Sequence, residues 1–309
     1  MAILKKFNSI FAELNRKKEY SFMPWTNYHS HTYYCDGAEA PENYIKCAID
    51  KGLPAYGYSS HAPINFESDW CISDEDFTRY ITDIRTIKEK HKGEIQTYLG
   101  LEVDFIPGVA GRKKHLLEDI ELDYFIGSIH FVDQFADGTH WNIDTSKELF
   151  NKGLSTIFNS DFKKAATRFY ELTWQMLEEE KPDIIGHLDK IKMYNNGAAY
   201  FNESDRWYKD ILLNTIRKIK QSGTIVEVNT RGYYRYGQED LYPGDWLIEK
   251  MIQQDIPIML NSDSHAPGEI ISGYKYAANE LKNMGLKYLW VLLDDNWQAK
   301  PFDMDGIRL

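Results

Sequence analysis

The chain is predicted to fold as an α/β barrel, and three observations carry that prediction. Short apolar or aromatic runs ending in a histidine or carboxylate recur along the sequence, amphipathic helical patterns lie between them, and most of the histidines fall at the run ends. Strands alternating with helices in this way build a parallel sheet covered by helices. At 309 residues the chain can make one such barrel or two smaller domains, because barrels commonly exceed the usual ~100–200 residues per domain.

Seven runs carry the strand signal: MPWTNYH, AYGYSSH, IQTYLGLEVD, YFIGSIH, DIIGH, TIVEVN and IPIMLNSDSH. Helical patterns are expected over Pro41 to Lys51, Asp74 to Lys90, Asp161 to Glu180, Ser204 to Ser222, Trp246 to Gln254 and Glu269 to Met284. Pro41 suits a first helical position, and Gly223 and Gly285 suit helix stops. Between Asp104 and Tyr124 the helical pattern is weakest. The segment 131–160 is aromatic, contains glycine and shows no period, which is the signature of an insertion that covers a substrate. A further run, KYLWVLLDD, is expected to add one more strand without a histidine. Ahead of all this, Ile3, Leu4, Phe7, Ile10, Phe11 and Leu14 form a helical stripe. The expected organisation is therefore an amphipathic extension over residues 1–20 and a single barrel domain over 21–309. The extension would pack on the barrel or on a second subunit, which makes a homodimer a possible assembly.

The composition, 43% hydrophobic and 27% charged, is that of an ordinary folded domain. A formal charge of −11 disfavours nucleic acid as a partner, since phosphate-backbone binding depends on Lys and Arg. Cys35, Cys47 and Cys71 show no CxxC spacing and cannot all pair, so a reducing compartment is expected. Neither a signal peptide nor a membrane span is visible, and the expected location is cytoplasmic.

Of nine histidines, six (His29, His31, His61, His130, His187 and His265) close predicted strands, whereas His91, His115 and His140 do not. A barrel gathers its site at the C-terminal ends of its strands, where the βα loops begin. Singly, such a histidine is more often structural than a ligand; the convergence is what counts. His29 and His31 in NYHSHTYYCDG, and Asp263 and His265 in IMLNSDSH, are two apart, and in extended chain such side chains point the same way. If the first and last strands of a closed sheet are neighbours, the two pairs meet. Glu102 lies on the same rim, and Asp36 follows the first pair in a turn marked by Gly37. Mixed imidazole and carboxylate donors suit Zn, Mn or Fe rather than Ca or Mg. Nine candidate donors exceed the needs of one ion, so two or three divalent metal ions are expected, with hydrolysis as their chemistry.

The motifs HSHTYYCDG, YSSHAP, GLEVD, GSIHF, GHLDKIK, EVNTRG and NSDSHAP run in that order from Asn27 to about Pro267. Together they resemble the polymerase and histidinol phosphatase (PHP) superfamily of metal-dependent phosphoesterases, and within it the PHP-type histidinol-phosphatases. The resemblance implies a distorted seven-stranded (β/α)7 barrel of PHP type with a trinuclear site. It implies that His29, His31, Glu102 and Asp263 hold one ion, that Glu102 bridges to a second held also by His130 and His187, and that Asp36, His61 and His265 hold the third. None of the nine positions is missing. The activity it implies is hydrolysis of L-histidinol phosphate, a step of histidine biosynthesis, by attack of a metal-bridging hydroxide, with Asp263 and His265 as the catalytic candidates.

A phosphoester also calls for positive groups to grip its oxygens. Lys190 and Lys192 lie past the fifth run and Arg231 and Arg235 past the sixth; the resemblance favours Lys192 and Arg235. Phe131, Trp141, Tyr233 and Tyr234 are candidate walls for the substrate. The implied partner is a small-molecule phosphomonoester, with neither nucleic acid nor membrane. Among competing readings, a different phosphoester such as a nucleotide or phosphotyrosine keeps the fold and metals. A binding module without turnover is disfavoured by the complete donor set, and an amide hydrolase by two basic loops that a neutral amide would not need.

Overall fold

The structure, a computed structural model, describes residues 24–237 and 241–309; the helical extension expected over 1–20 lies outside the described residues. In chain order the elements are α1 (Pro41–Asp50), β1 (Ala55–Tyr58), α2 (Asp74–Lys90), β2 (Gln96–Asp104), β3 (Tyr124–Ser128), β4 (Phe131–Gln134), β5 (His140–Asn142), α3 (Lys147–Phe158), α4 (Phe162–Glu179) and β6 (Ile184–Ile185). They continue with α5 (Arg206–Ser222), β7 (Ile225–Asn229), α6 (Arg231–Tyr236), α7 (Asp245–Gln253), β8 (Ile258–Asn261), α8 (Tyr274–Asn283), β9 (Tyr288–Leu293), β10 (Asn296–Asp303) and β11 (Gly306–Ile307).

Six strands pair in parallel in the order β1-β2-β3-β6-β7-β8, and the sheet curls so that its two edges face the first run of the sequence. That run was expected as a seventh strand. It meets the sheet only at isolated parallel bridges, Asn27 with Tyr56 on one side and Ser30 with Ser264 on the other. Side chains occupy the places a longer ladder would use: Tyr28 N–H donates to Asn261 Oδ1 (2.9 Å), Ser30 N–H to Ser59 Oγ (2.9 Å) and Thr32 N–H to Ser60 Oγ (3.2 Å).

Strands of a parallel sheet are covered on both faces and need continuous apolar or small residues. The four residues of β1 and the five of β3 are accordingly all buried. The ring of Tyr124, the first residue of β3, fills the space beside Gly57 and Gly100, where a Cβ would overlap it. Its hydroxyl donates to the Tyr28 and Tyr58 carbonyls (2.6 and 2.9 Å). The helices begin where their caps require. Ser73 Oγ accepts from Asp76 N–H ahead of α2, and Asp161 Oδ1 accepts from Lys164 N–H ahead of α4. Gly223, at φ 76°, ends α5.

Three local expectations change. The stretch between Asp104 and Tyr124 holds only a 3-10 turn at His115–Leu117. The segment 131–160 is not aperiodic: β4 and β5 form an antiparallel hairpin, and α3 comes next, capped by Ser146 Oγ on Leu149 N–H. Gly153 on α3 lies against the Trp141 ring of β5, with no room for a Cβ. The last helix starts at Tyr274 rather than Glu269, because Pro267–Glu269 takes a 3-10 turn and Gly273 sits at φ 78°. The run KYLWVLLDD does form a strand, β9, but it joins β10 and β11 in a separate three-stranded sheet. The β9–β10 turn touches the beginning of β2, with Asp294 N–H donating to Gln96 Oε1 (2.7 Å), so this sheet covers the N-terminal ends of the strands. No helix among the described residues is long and apolar enough to cross a membrane.

Candidate metal centre

At the opposite end of the sheet the nine candidate donors converge. His29 and His31 enter from the first run; His61 follows β1, Glu102 lies on β2, His130 follows β3, His187 follows β6, and Asp263 and His265 follow β8. Parallel strands end at one level, so short loops alone suffice to bring these side chains together. Asp263 adopts φ 52°, a left-handed conformation that aspartate accepts more readily than most non-glycine residues because its short side chain can bond locally.

Glu102 is the hub. Its Oε2 lies 3.0 Å from His29 Nε2, 3.2 Å from His61 Nδ1 and 3.4 Å from His31 Nε2, while its Oε1 lies 3.0 Å from His187 Nε2. Asp263 Oδ1 is 3.1 Å from His31 Nε2, and Asp36 Oδ2 is 3.0 Å from His265 Nε2. Three overlapping groups have donor atoms all within 4.8 Å of one another: His31 with Asp36, His61 and His265; His29 with His31 and Asp263; and His61 with Glu102 and His130.

Two observations test whether a metal suits this arrangement. The Nε2 atoms of His130 and His187 face each other at 3.2 Å with Glu102 Oε1 beside them. At that distance the two nitrogens share one proton or one cation, so both rings aim Nε2 at a single point where a metal ion can replace the proton. In addition, His31 Nε2 and His61 Nδ1 are buried without a hydrogen-bond partner, a costly state that ligation removes. The donor set therefore fits divalent cations.

Outer carboxylates set the tautomers. His29 Nδ1–H donates to Glu227 Oε2 (2.8 Å) and His130 Nδ1–H to Asp104 Oδ1 (3.0 Å), which turns each Nε2 inward. Glu227 is itself held by the His187 N–H and by the Asn229 and Asn261 amides, at 2.9, 2.9 and 3.0 Å. Burial, with His265 and His61 alongside, pushes His31 down to about 3, so its ring is neutral and its lone pair free at neutral pH. Burial acts the same way on His130, but Asp104 outweighs it and lifts that ring to about 9. Opposing their own burial, Glu102 and Asp263 are held well below the usual carboxylate range, chiefly by His29. All the donors but His29 and His31 line a cleft of about 220 Å³ whose other walls are Trp70, Asn142, Asp144, Arg231 and Tyr236.

Residues 27–231 match the family model of the PHP domain. The chain belongs to the PHP family. Asp263 and His265 lie beyond the matched residues of the PHP domain, and it is the fold that brings them to the donors inside it. The PHP chain is similar, at 27% identity over 279 residues (85% of this chain and 88% of the relative), to a protein of Schizosaccharomyces pombe named "Probable histidinol-phosphatase". A crystal structure from Listeria monocytogenes shares its fold with TM-score 0.70 at 22% identity, covering 81% of this chain and 99% of the other. A second, of the histidinol phosphate phosphatase of Lactococcus lactis complexed with zinc, L-histidinol and phosphate, superposes with TM-score 0.62 at 19% identity, covering 92% and 99%.

Within this PHP site the basic candidates separate. Arg231 lines the cleft, its Nη1 donating to the Asp263 carbonyl (3.0 Å). Lys190 stands directly behind the cleft wall, its Nζ 2.9 Å from Asp144 Oδ2. The two favoured residues are elsewhere. Lys192 is engaged with Glu203 (3.0 Å) and Asp189 (3.3 Å) in a separate small cavity, and Arg235 is exposed one helical turn beyond Arg231. Among the aromatics, Tyr233 stacks on Tyr276 at 3.9 Å, Trp141 is buried under α3, and Phe131 backs Trp70. Tyr234 stays beside the site, its hydroxyl 3.2 Å from the Asp263 carbonyl, while the aromatic residues that line the cleft are Trp70, edge-on to His61 and His130 (4.4 and 5.3 Å), and Tyr236. Cys35 packs beside the first histidine pair. Burial pushes its thiol up to about 12, and it lies 3.7 Å from His31 Nδ1. Sequence reasoning assigned no role to Glu227 or Asp104, although Asp104 stands two residues after Glu102 on the same strand face.

Proposed function

We propose that this protein is a metal-dependent phosphomonoesterase that hydrolyses L-histidinol phosphate to L-histidinol and inorganic phosphate. The observation that carries the reading is the facing pair of His130 and His187 Nε2 atoms, 3.2 Å apart over Glu102, at the centre of a ring of imidazoles and carboxylates. The names of the relatives supply the substrate: the fission-yeast protein is called a histidinol-phosphatase, and the Lactococcus lactis structure holds zinc, L-histidinol and phosphate.

In this reading residues 27–31 act as the seventh stave of the barrel, and residues 21–309 form one domain. The segment 131–160 is its cover, contributing Asn142 and Asp144 to the cleft. His29, His31, Asp36, His61, Glu102, His130, His187, Asp263 and His265 would hold two or three ions of the zinc, manganese or iron type. When bound, the ions supply Lewis acidity and a water that ionises near neutral pH. The chain's own part is placement. Glu227 and Asp104 keep His29 and His130 turned inward, Arg231 offers its guanidinium to the phosphate oxygens, and Trp70 and Tyr236 exclude water from one side. Asp263, whose carbonyl accepts from Arg231, and His265 are the candidates for supplying the proton that the leaving alcohol must acquire.

The test is release of inorganic phosphate from L-histidinol phosphate, a mononucleotide, a phosphotyrosine peptide and an aryl phosphate, by protein of counted metal content. Strong preference for L-histidinol phosphate is expected. Preference for another member of the panel would move the reading to a different phosphoester, and no release from any, in protein holding two or more metals, would overturn it.

A further inference from the structure

We propose that Asp144 selects the substrate through an ammonium group, so that the favoured class is a phosphomonoester bearing a protonated amine on the carbon next to the phosphorylated one. The inference rests on the phosphomonoesterase reading above and deepens it.

Four carboxylates line the cleft: Asp36, Glu102, Asp144 and Asp263. Three belong to the histidine ring, each with an oxygen 3.0–3.1 Å from an imidazole nitrogen. Asp144 differs. It belongs to none of the donor groups close enough to share an ion among the described residues. Its Oδ2 accepts from Lys190 Nζ (2.9 Å), a lysine only 2% exposed that approaches from inside the wall, while the Asp144 side chain is 31% exposed. Its backbone N–H donates to Asn142 Oδ1 (2.7 Å), a local turn that fixes where the carboxylate stands. The group is thus anchored by Lys190 while it lines the cleft, with the acceptor capacity that Lys190 leaves available to a ligand there.

A carboxylate in a cleft that must admit a phosphate dianion repels the ligand, and the Lys190 ammonium paired with Asp144 offsets part of that repulsion. A substrate carrying a cation close to its phosphoester converts that repulsion into a charge-assisted hydrogen bond, while the phosphate lies on the cationic side of the cleft. Asp144 is carried by the segment between β3 and α4 rather than by a strand end, so recognition of the amine is separable from the residues that gather at the ring. A purely structural role, tying that segment to the turn after β6, predicts no dependence on the substrate's amine.

The experiment compares kcat/KM for L-histidinol phosphate with that for its des-amino analogue, 3-(imidazol-4-yl)propyl phosphate, in the wild type, Asp144→Asn and Asp144→Glu, with metal content measured for each. The wild type is expected to favour the amine by about 10- to 100-fold, the range of one charge-assisted hydrogen bond. Asp144→Asn should collapse that ratio and Asp144→Glu should retain part of it. The ratio is read rather than either rate, so a shared loss from the unpaired Lys190 cancels. A wild type without preference for the amine, or an Asn variant that keeps it, overturns the proposal. Should Asp144→Asn fail to fold, the wild-type ratio and the Glu variant still decide. Should the wild type ignore L-histidinol phosphate, the substrate reading falls, and the Asp144 inference is judged on O-phosphoethanolamine against ethyl phosphate: preference for the former supports it, equal turnover overturns it.

Discussion

Replacing Glu227 by Gln changes one atom and keeps the shape, yet the structure makes it a severe perturbation. The carboxylate accepts four hydrogen bonds: Oε1 from His187 N–H and Asn229 Nδ2, both at 2.9 Å, and Oε2 from His29 Nδ1 at 2.8 Å and Asn261 Nδ2 at 3.0 Å. Glutamine retains one acceptor oxygen, and whichever way its amide turns, the NH2 faces two donors. Each buried donor left without a partner costs about 1–3 kcal/mol, so the pair costs about 2–6 kcal/mol against a typical domain stability of about 5–15 kcal/mol. One orientation strips His29 of the acceptor that fixes its tautomer; the other detaches the backbone of His187. Either way a donor of the ring is misdirected, and loss of such an outer partner weakens metal affinity by about 10- to 100-fold. Zinc titration of metal-stripped protein against a competing chelator, with thermal melting of the metal-free form, measures both effects. A Gln variant with wild-type zinc affinity and an unchanged melting temperature would refute the argument that Glu227 holds His29 and His187 in place.

Other substitutions and conditions separate the remaining claims. Arg231→Ala should lower kcat/KM for a phosphomonoester at least 10-fold more than Arg235→Ala does, because only Arg231 reaches the cleft; steady-state kinetics at full metal loading decide it, and equal losses would contradict the placement. Metal binding at pH 7 should release protons. Despite burial, Asp104 raises His130 to about 9 in the metal-free protein, so its Nε2 carries a proton that ligation must expel, and this release should fade above that pH; a weakly buffered titration with a pH indicator reads it, and release that does not vary with pH counts against it. Gly153→Ala gains helix propensity of about 1 kcal/mol but drives a methyl into the Trp141 ring, an overpacking cost of about 1–3 kcal/mol. A net fall in melting temperature is expected, and a rise would show that α3 can shift away from β5.

Much of the fold was legible because each parallel strand is marked twice, by its own apolar run and by the amphipathic helical pattern that comes after it. The runs that became β1, β2, β3, β6, β7 and β8 were visible even where the paired strand is short, as with Ile184–Ile185. What could not be seen was how the first run pairs. Its extended residues have the pattern of a strand, but the N–H groups of Tyr28, Ser30 and Thr32 are claimed by side chains of Asn261, Ser59 and Ser60, partners from distant parts of the chain. Helix α3 was hidden for a related reason. Its buried face is only Phe150, Gly153 and Leu154, and the glycine that weakens its apparent propensity is required by Trp141 on another element.

The site divides along the same line. Residues that meet because strands end together could be gathered from sequence, since position alone places them: the two pairs His29/His31 and Asp263/His265 do meet, with His31 Nε2 3.1 Å from Asp263 Oδ1. Residues whose direction depends on a turn could not. Lys190 and Lys192 share a 3-10 turn, where a step of two residues carries a side chain about two-thirds of the way around the axis. Lys190 therefore turns to Asp144 at the cleft, and Lys192 turns away to Glu203. Arg231 begins α6 beside Asp263, whereas Arg235 lies four residues, or about 6 Å, farther along the axis and ends in solvent. A motif fixes which residues approach the cleft; the handedness of the turn that carries them decides which one enters it. For that reason Asp144, held between an Asn142 turn and a buried lysine, could be recognised only from the fold.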